Sequence, residues 1–184
     1  MKEKEYLQYV MLTEEQLKAR VAELGEQITK DYAHIGSDEK ILLVGMLKGS
    51  FIFIADLVRS IDLHCEIDFM AASSYGNSTE SSGKIKVSRD IGDISGQHVI
   101  IIEDIVDSGN TMAYILDMLK ERNPASLKLC SLLDKPSRRK VEVTIDYTGF
   151  EIEDEFVVGY GLDYASQYRN LPFIGVLKPE VYTK

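Results

Sequence analysis

Four aliphatic residues in a row, Val99-Ile100-Ile101-Ile102, run without a break into two acids, Glu103 and Asp104. A strand with apolar side chains at successive positions offers no face to water, so it belongs inside a parallel sheet covered on both sides. Carboxylates, by contrast, are among the side chains least often fully buried unless they are paired. A third acid, Asp107, follows, and then a short polar loop, Ser108-Gly109-Asn110-Thr111. Beyond it Met112, Ile115, Leu116 and Leu119 recur at helical spacing and stop at Asn123-Pro124. The stretch predicts strand, loop and helix in succession, with three carboxylates at the carboxyl end of the strand.

The same alternation runs through most of the chain. Thr13 and Gln16 have the spacing of a capping box, and Leu17, Val21, Leu24 and Ile28 then mark an amphipathic helix to about Asp31. Ile41 to Val44 reads as a strand that leads through Gly45–Ser50 to a helix carrying Phe51, Ile54, Ala55 and Val58 on one face. His64 to Ala72 alternates as a strand, Ser73 to Ser82 has no aliphatic residue, and Lys84 to Val87 is placed as the returning arm of a hairpin. Leu127 to Leu133 supplies a further strand. Strands alternating with helices predict an α/β fold, a twisted, mainly parallel sheet flanked by helices and joined by right-handed crossovers. From Val141 to Lys184 short strands, many tyrosines and no long helix predict a smaller appendage over one end of the sheet. At 184 residues, 45% of them apolar, one domain is expected.

The charge, 21 basic against 30 acidic residues or -9, disfavours broad binding to nucleic acid but leaves room for a phosphorylated small molecule in a local site, particularly with a divalent cation. Cys65 and Cys130 read as small buried hydrophobes, and the scattered His34, His64 and His98 form no zinc pattern. No apolar run approaches the roughly 20 residues that cross a bilayer, and the N-terminus is charged where a signal peptide is apolar. A cytoplasmic protein without membrane contact is expected.

In an open α/β sheet, ligands bind outside the carboxyl ends of the strands. The loop Asp107–Thr111 leads into a helix whose first backbone N–H groups, with the helix dipole behind them, favour an anion. Gly109 permits close approach, Ser108 and Thr111 add hydroxyls, and the loop is short enough to wrap a single phosphate. It matches neither the triphosphate-binding G-x-x-x-x-G-K-[ST] nor the dinucleotide-binding G-x-G-x-x-G pattern. Alone, Asp107 would be an ordinary helix cap. Beside Glu103 and Asp104, a sugar phosphate held with Mg²⁺ fits better, because vicinal hydroxyls donate to carboxylates and magnesium takes carboxylate and phosphate oxygens.

IIIEDIVDSGNTM resembles the phosphoribosyl-diphosphate signature of type I phosphoribosyltransferases, in the form of their 6-oxopurine branch, the hypoxanthine-guanine phosphoribosyltransferases. Leu47-Lys48-Gly49-Ser50, Ser74-Tyr75, Ser131-Leu132-Leu133-Asp134-Lys135, Phe156-Val157-Val158-Gly159-Tyr160, Leu162-Asp163-Tyr164 and Tyr168-Arg169-Asn170 are similar to further family elements, in family order. The resemblance implies one domain over 1–184, with a core at about 35–140, a flexible lid loop at about 73–89 and a hood mainly at 141–184 that also involves the N-terminus. It implies transfer of the phosphoribosyl group from phosphoribosyl diphosphate to N9 of hypoxanthine or guanine, with Mg²⁺ as cofactor.

The resemblance also implies roles for individual residues. Asp107 is the catalytic base beside the purine N7. Glu103, Asp104 and the loop Asp107, Ser108, Gly109, Asn110 and Thr111 hold the ribose and its 5′-phosphate. Lys48, Gly49, Ser74, Tyr75 and Arg169 hold pyrophosphate, and the peptide between Leu47 and Lys48 is cis. Lys135 donates to the 6-oxo group, Phe156 stacks on the purine, Val157 reads its edge through the backbone, and Ile105 closes the other face. Asp163 borders the base and joins Glu103 and Asp104 in binding magnesium.

Two other readings of this fold stay open from sequence. One is an RNA-binding regulator, which needs a basic face and no base at Asp107. The other is a transferase acting on adenine, uracil or orotate, against which Lys135 speaks because an exocyclic amino group gives it no acceptor. The family implies a homodimer or homotetramer.

Overall fold

Val99–Ile102 lies within a strand, β5 (His98–Val106), and none of the four side chains is exposed. The computed structural model describes residues 5–36, 39–75 and 84–183. In chain order, β1 (Leu7–Leu12) and α1 (Glu14–Asp31) precede β2 (Ile41–Leu47), α2 (Phe51–Val58), β3 (Cys65–Tyr75) and β4 (Lys84–Arg89). After β5 come α3 (Asn110–Lys120), β6 (Ser126–Asp134), β7 (Tyr147–Glu151), β8 (Val157–Val158), β9 (Ile174–Leu177) and a single helical turn, α4 (Pro179–Tyr182).

Six strands form one sheet in the order β4-β3-β2-β5-β6-β7. All neighbours are parallel except β3 and β4, the hairpin expected around residues 73–87. The middle of the expected lid, 76–83, lies outside the described residues.

Alternate side chains of the central strands enter different cores, which is why the strand residues read as apolar without a break. Ile41, Leu43, Ile100 and Ile102 cluster with Leu17 and Leu24 of α1 and Phe53 and Leu57 of α2. Leu42, Val44, Val99 and Ile101 cluster with Met112, Ile115 and Leu119 of α3. The capping box is present: Gln16 N–H donates to Thr13 Oγ1 at 3.3 Å and Thr13 N–H donates to Gln16 Oε1 at 2.9 Å. Both cysteines are free thiols; Cys130 is fully buried and Cys65 half-buried. No helix among the described residues is long and apolar enough to cross a membrane.

The appendage divides differently from the stretch 141–184. Tyr147–Glu151 runs parallel to β6 and completes the main sheet. The separate three-stranded antiparallel sheet is β1-β9-β8, so the N-terminal strand joins the C-terminal ones through pairs such as Leu7 with Leu177.

From β2 the chain steps to β3 on one side, whereas β5 lies on the other side of β2. The β2–β5 seam is therefore the switch point of the winding, where an open α/β sheet leaves a crevice at its carboxyl edge.

Candidate active site

Three segments meet above that seam. The first is the end of β2. The Leu47-Lys48 peptide is cis, as the resemblance implies. Lys48 is exposed and Gly49 buried, and the buried Ser50 hydroxyl donates to Met46 O at 2.7 Å, holding the turn into α2. A Cβ on Gly49 would overlap the Asp104 carboxylate, so a larger residue here would have to turn that carboxylate aside.

The second segment is the end of β5 and the start of α3. Glu103 and Asp104 are still in the strand, half-buried. Burial, with the Asp104 carboxyl alongside, pushes the Glu103 carboxyl well above its ordinary range. Asp104 Oδ1 accepts the Ile105 N–H at 3.0 Å. The residue that caps α3 is Gly109, left-handed at φ 83°, and no side chain among the described residues caps the helix. Asp107 is thus free of the helix-cap role, and its Oδ1 is buried with no hydrogen-bond partner among the described residues. The nearest guanidinium nitrogen, Arg138 Nε, is 4.0 Å away. Ser108 O accepts the N–H groups of Lys140 and Val141 at 2.9 and 3.1 Å, which ties the loop down. A cavity of about 360 Å³ lies between the two segments, lined by Leu47, Ser73, Glu103, Asp107, Gly109 and Thr111 among others. Ser108 belongs to that lining, whereas Asn110 is exposed outside it and donates to Ser108 Oγ at 3.2 Å.

The third segment joins the end of β6 to β8. A second cavity, about 300 Å³, is lined by Ile105, Asp107, Lys135, Phe156, Val157 and Asp163, together with Arg138, Asp154, Glu155, Leu162 and Tyr182. Ile105 and Asp107 line both cavities, so they stand where the two meet. Lys135 is 7% exposed, and its Nζ donates to Glu155 O at 2.6 Å with Asp154 at 3.9 Å. Burial pushes the Lys135 ammonium down, opposed by the charges of Asp107 and Asp154. Phe156 is 38% exposed, which a core phenylalanine would not be.

Asp163, which lines the second cavity but not the first, has both carboxylate oxygens engaged. Its Oδ1 is 2.6 Å from Arg169 Nη2, and its Oδ2 accepts the Ser166 N–H at 2.7 Å. Arg169 also donates to Gly161 O at 2.6 Å. Ser74 and Tyr75 end β3, and their side chains lie outside the described residues. Among the described residues, no three acids, histidines or cysteines form a group able to hold a metal by themselves. That suits magnesium, which binds through one or two carboxylates plus substrate phosphates and keeps several waters. Glu103 and Asp104 offer such a pair of hard oxygen donors. Another cavity, about 420 Å³ between α1, α2 and Tyr160–Pro172, is lined by no residue expected in the site.

The sequence pattern of the phosphoribosyl transferase domain family matches residues 10–165. The chain belongs to that family. It is 53% identical to the hypoxanthine phosphoribosyltransferase of Escherichia coli K12, over 90% of this chain and 93% of the relative. The solved hypoxanthine phosphoribosyltransferase of Staphylococcus aureus superposes with a TM-score of 0.90 at 49% identity, covering 97% of this chain and 95% of that one. A Trypanosoma cruzi hypoxanthine phosphoribosyltransferase solved with its product IMP gives 0.91 at 41% identity, covering 97% and 98%. The chain also matches bifunctional proteins of Listeria monocytogenes at 48% identity, but spans only 27% of their length. The fold is accordingly the type I phosphoribosyltransferase fold, a mostly parallel sheet flanked by helices.

Tyr182, Arg138 and Asp154 line the second cavity without having been singled out from sequence. Arg138, three residues beyond Lys135, had a local signal in Lys135-Pro136-Ser137-Arg138-Arg139. Tyr182 had none: nothing in the tail beyond Val176 distinguishes it from a surface residue.

Proposed function

We propose that this chain transfers the phosphoribosyl group of phosphoribosyl diphosphate to N9 of hypoxanthine or guanine, giving IMP or GMP and pyrophosphate. The observation that carries this is the pair of cavities meeting at Ile105 and Asp107, one walled by carboxylates and the phosphate-sized loop, the other by Lys135 and Phe156. The E. coli, S. aureus and T. cruzi relatives, named for hypoxanthine, support it.

In the first cavity the N–H groups and hydroxyls of Ser108–Thr111 bind the 5′-phosphate, while Glu103 and Asp104 accept from the ribose hydroxyls. Lys48, Gly49 and Arg169, with Ser74 and Tyr75 of β3, grip the pyrophosphate end. In the second, the purine lies between Ile105 and Phe156, its edge read by the Val157 backbone and Asp163, and Lys135 donates to O6. The new bond joins purine N9 to C1′ of the ribose as the C1′–oxygen bond to pyrophosphate breaks, the electron pair leaving with that oxygen. Asp107, at the junction and with no hydrogen bond to Oδ1 among the described residues, takes the proton displaced from N7. Glu103 and Asp104, with Asp163 for a second ion, would hold Mg²⁺ together with the substrate's own oxygens, and the metal would supply positive charge to the phosphates.

The test is incubation with phosphoribosyl diphosphate, Mg²⁺ and each purine separately, with nucleotide product separated chromatographically. IMP and GMP formation is expected; product from adenine, uracil or orotate alone rejects the reading.

A further inference from the structure

Phe156 immediately precedes the two-residue edge strand β8 and is more than a third exposed, so it is not locked in the core. Two other rings set it. Tyr182 lies stacked against it, ring centres 4.7 Å apart and planes 20° apart. Tyr164 meets it edge-on at 5.6 Å and 87°. Offset stacking and edge-to-face contact are the two arrangements aromatic rings prefer. Tyr182 also lines the base cavity itself, together with Ile105 and Asp107.

One short segment controls both the backbone and the ring of Phe156. Leu177 N–H donates to Phe156 O at 2.8 Å, and α4 begins two residues later. Thr183 N–H and Oγ1 both close on Pro179 O, at 3.0 and 2.7 Å, which fixes the turn that carries Tyr182. Val181 packs on the hood cluster of Leu7, Val158, Leu171 and Leu177.

We propose that Tyr182 is a positioning residue for the base: its ring sets the plane of Phe156, and thereby the plane in which a 6-oxopurine lies. A purine stacked on Phe156 lies parallel to that ring, and this plane is the one in which its oxo group turns to Lys135 and its N7 to Asp107, so a turned Phe156 costs base affinity and not phosphoribosyl affinity. The inference rests on the purine-transfer reading. Tyr182→Ala should raise KM for hypoxanthine and guanine about 3- to 10-fold, the size of one aromatic stack, with KM for phosphoribosyl diphosphate unchanged. Tyr182→Phe should restore the wild-type KM, because stacking does not need the hydroxyl. The chain has no tryptophan, so in Tyr182→Trp a single indole should change its emission when GMP is added.

Wild type inactive with every purine overturns the functional reading and this inference with it. Wild-type turnover combined with an unaltered or lowered purine KM in Tyr182→Ala, with equal rises in both KM values, or with an indole blind to GMP, overturns the inference alone.

Discussion

Gly49 and Asp104 touch across the β2–β5 seam, so closely that a methyl group on Gly49 would overlap the Asp104 carboxylate. The contact joins the turn expected to hold pyrophosphate to the acid expected to hold ribose, without a hydrogen bond between them. Gly49→Ala must therefore push Asp104 or the whole turn aside. KM for phosphoribosyl diphosphate should rise while KM for the purine stays within about twofold. Steady-state kinetics with each substrate varied would check this, and equal effects on both substrates would refute a local effect.

Asp107 does not cap α3, and its Oδ1 has no hydrogen-bond partner among the described residues. Asp107→Ala should then leave stability within about 0.5 kcal/mol, as for a residue whose removal opens no core cavity. Loss of a general base should lower kcat about 10²- to 10⁴-fold. A thermal melt and a turnover assay on the same sample decide it; near-normal kcat would remove Asp107 from the base role.

Lys135 is held below the ordinary lysine value of 10.5, chiefly by burial. Its donor form is the protonated one, so purine affinity should weaken as pH rises, with a midpoint below 10.5. Lys135→Gln should raise the purine KM about 10- to 100-fold, as expected for a lost charged hydrogen bond of roughly 1.5–3 kcal/mol. It should also abolish that alkaline limb. A limb that persists in the variant belongs to another group.

Glu103 has the opposite displacement: burial and the neighbouring Asp104 raise it above 4.5. Between 4.5 and the raised value, the folded chain keeps a proton that the unfolded chain has lost. Stability therefore falls as pH climbs through that window, is unpenalised below it and fully penalised above it. Glu103→Gln removes the penalty and should melt higher than wild type at pH 8. At pH 4.5 the two should coincide, and the variant should bind phosphoribosyl diphosphate more weakly. Melting curves at the two pH values would expose a wrong sign.

Much of this protein was determined by local sequence. The doubly apolar run at Val99–Ile102 could only be a strand covered on both faces, and the helices α1 and α3 are accounted for by spacing and by the Thr13–Gln16 cap. The Asp107–Thr111 loop was legible because its chemistry lies within five consecutive residues. Other features were decided only by tertiary structure. Leu7–Leu12 becomes a hood strand because Ile174–Leu177, more than 160 residues later, offers it an edge. Tyr147–Glu151 joins the main sheet because β6 has a free side there. Asp163 pairs with Arg169, Gly49 lies against Asp104, and Tyr182 stacks on Phe156. Periodicity reports which face of an element seeks cover, and these contacts depend on what the cover turns out to be.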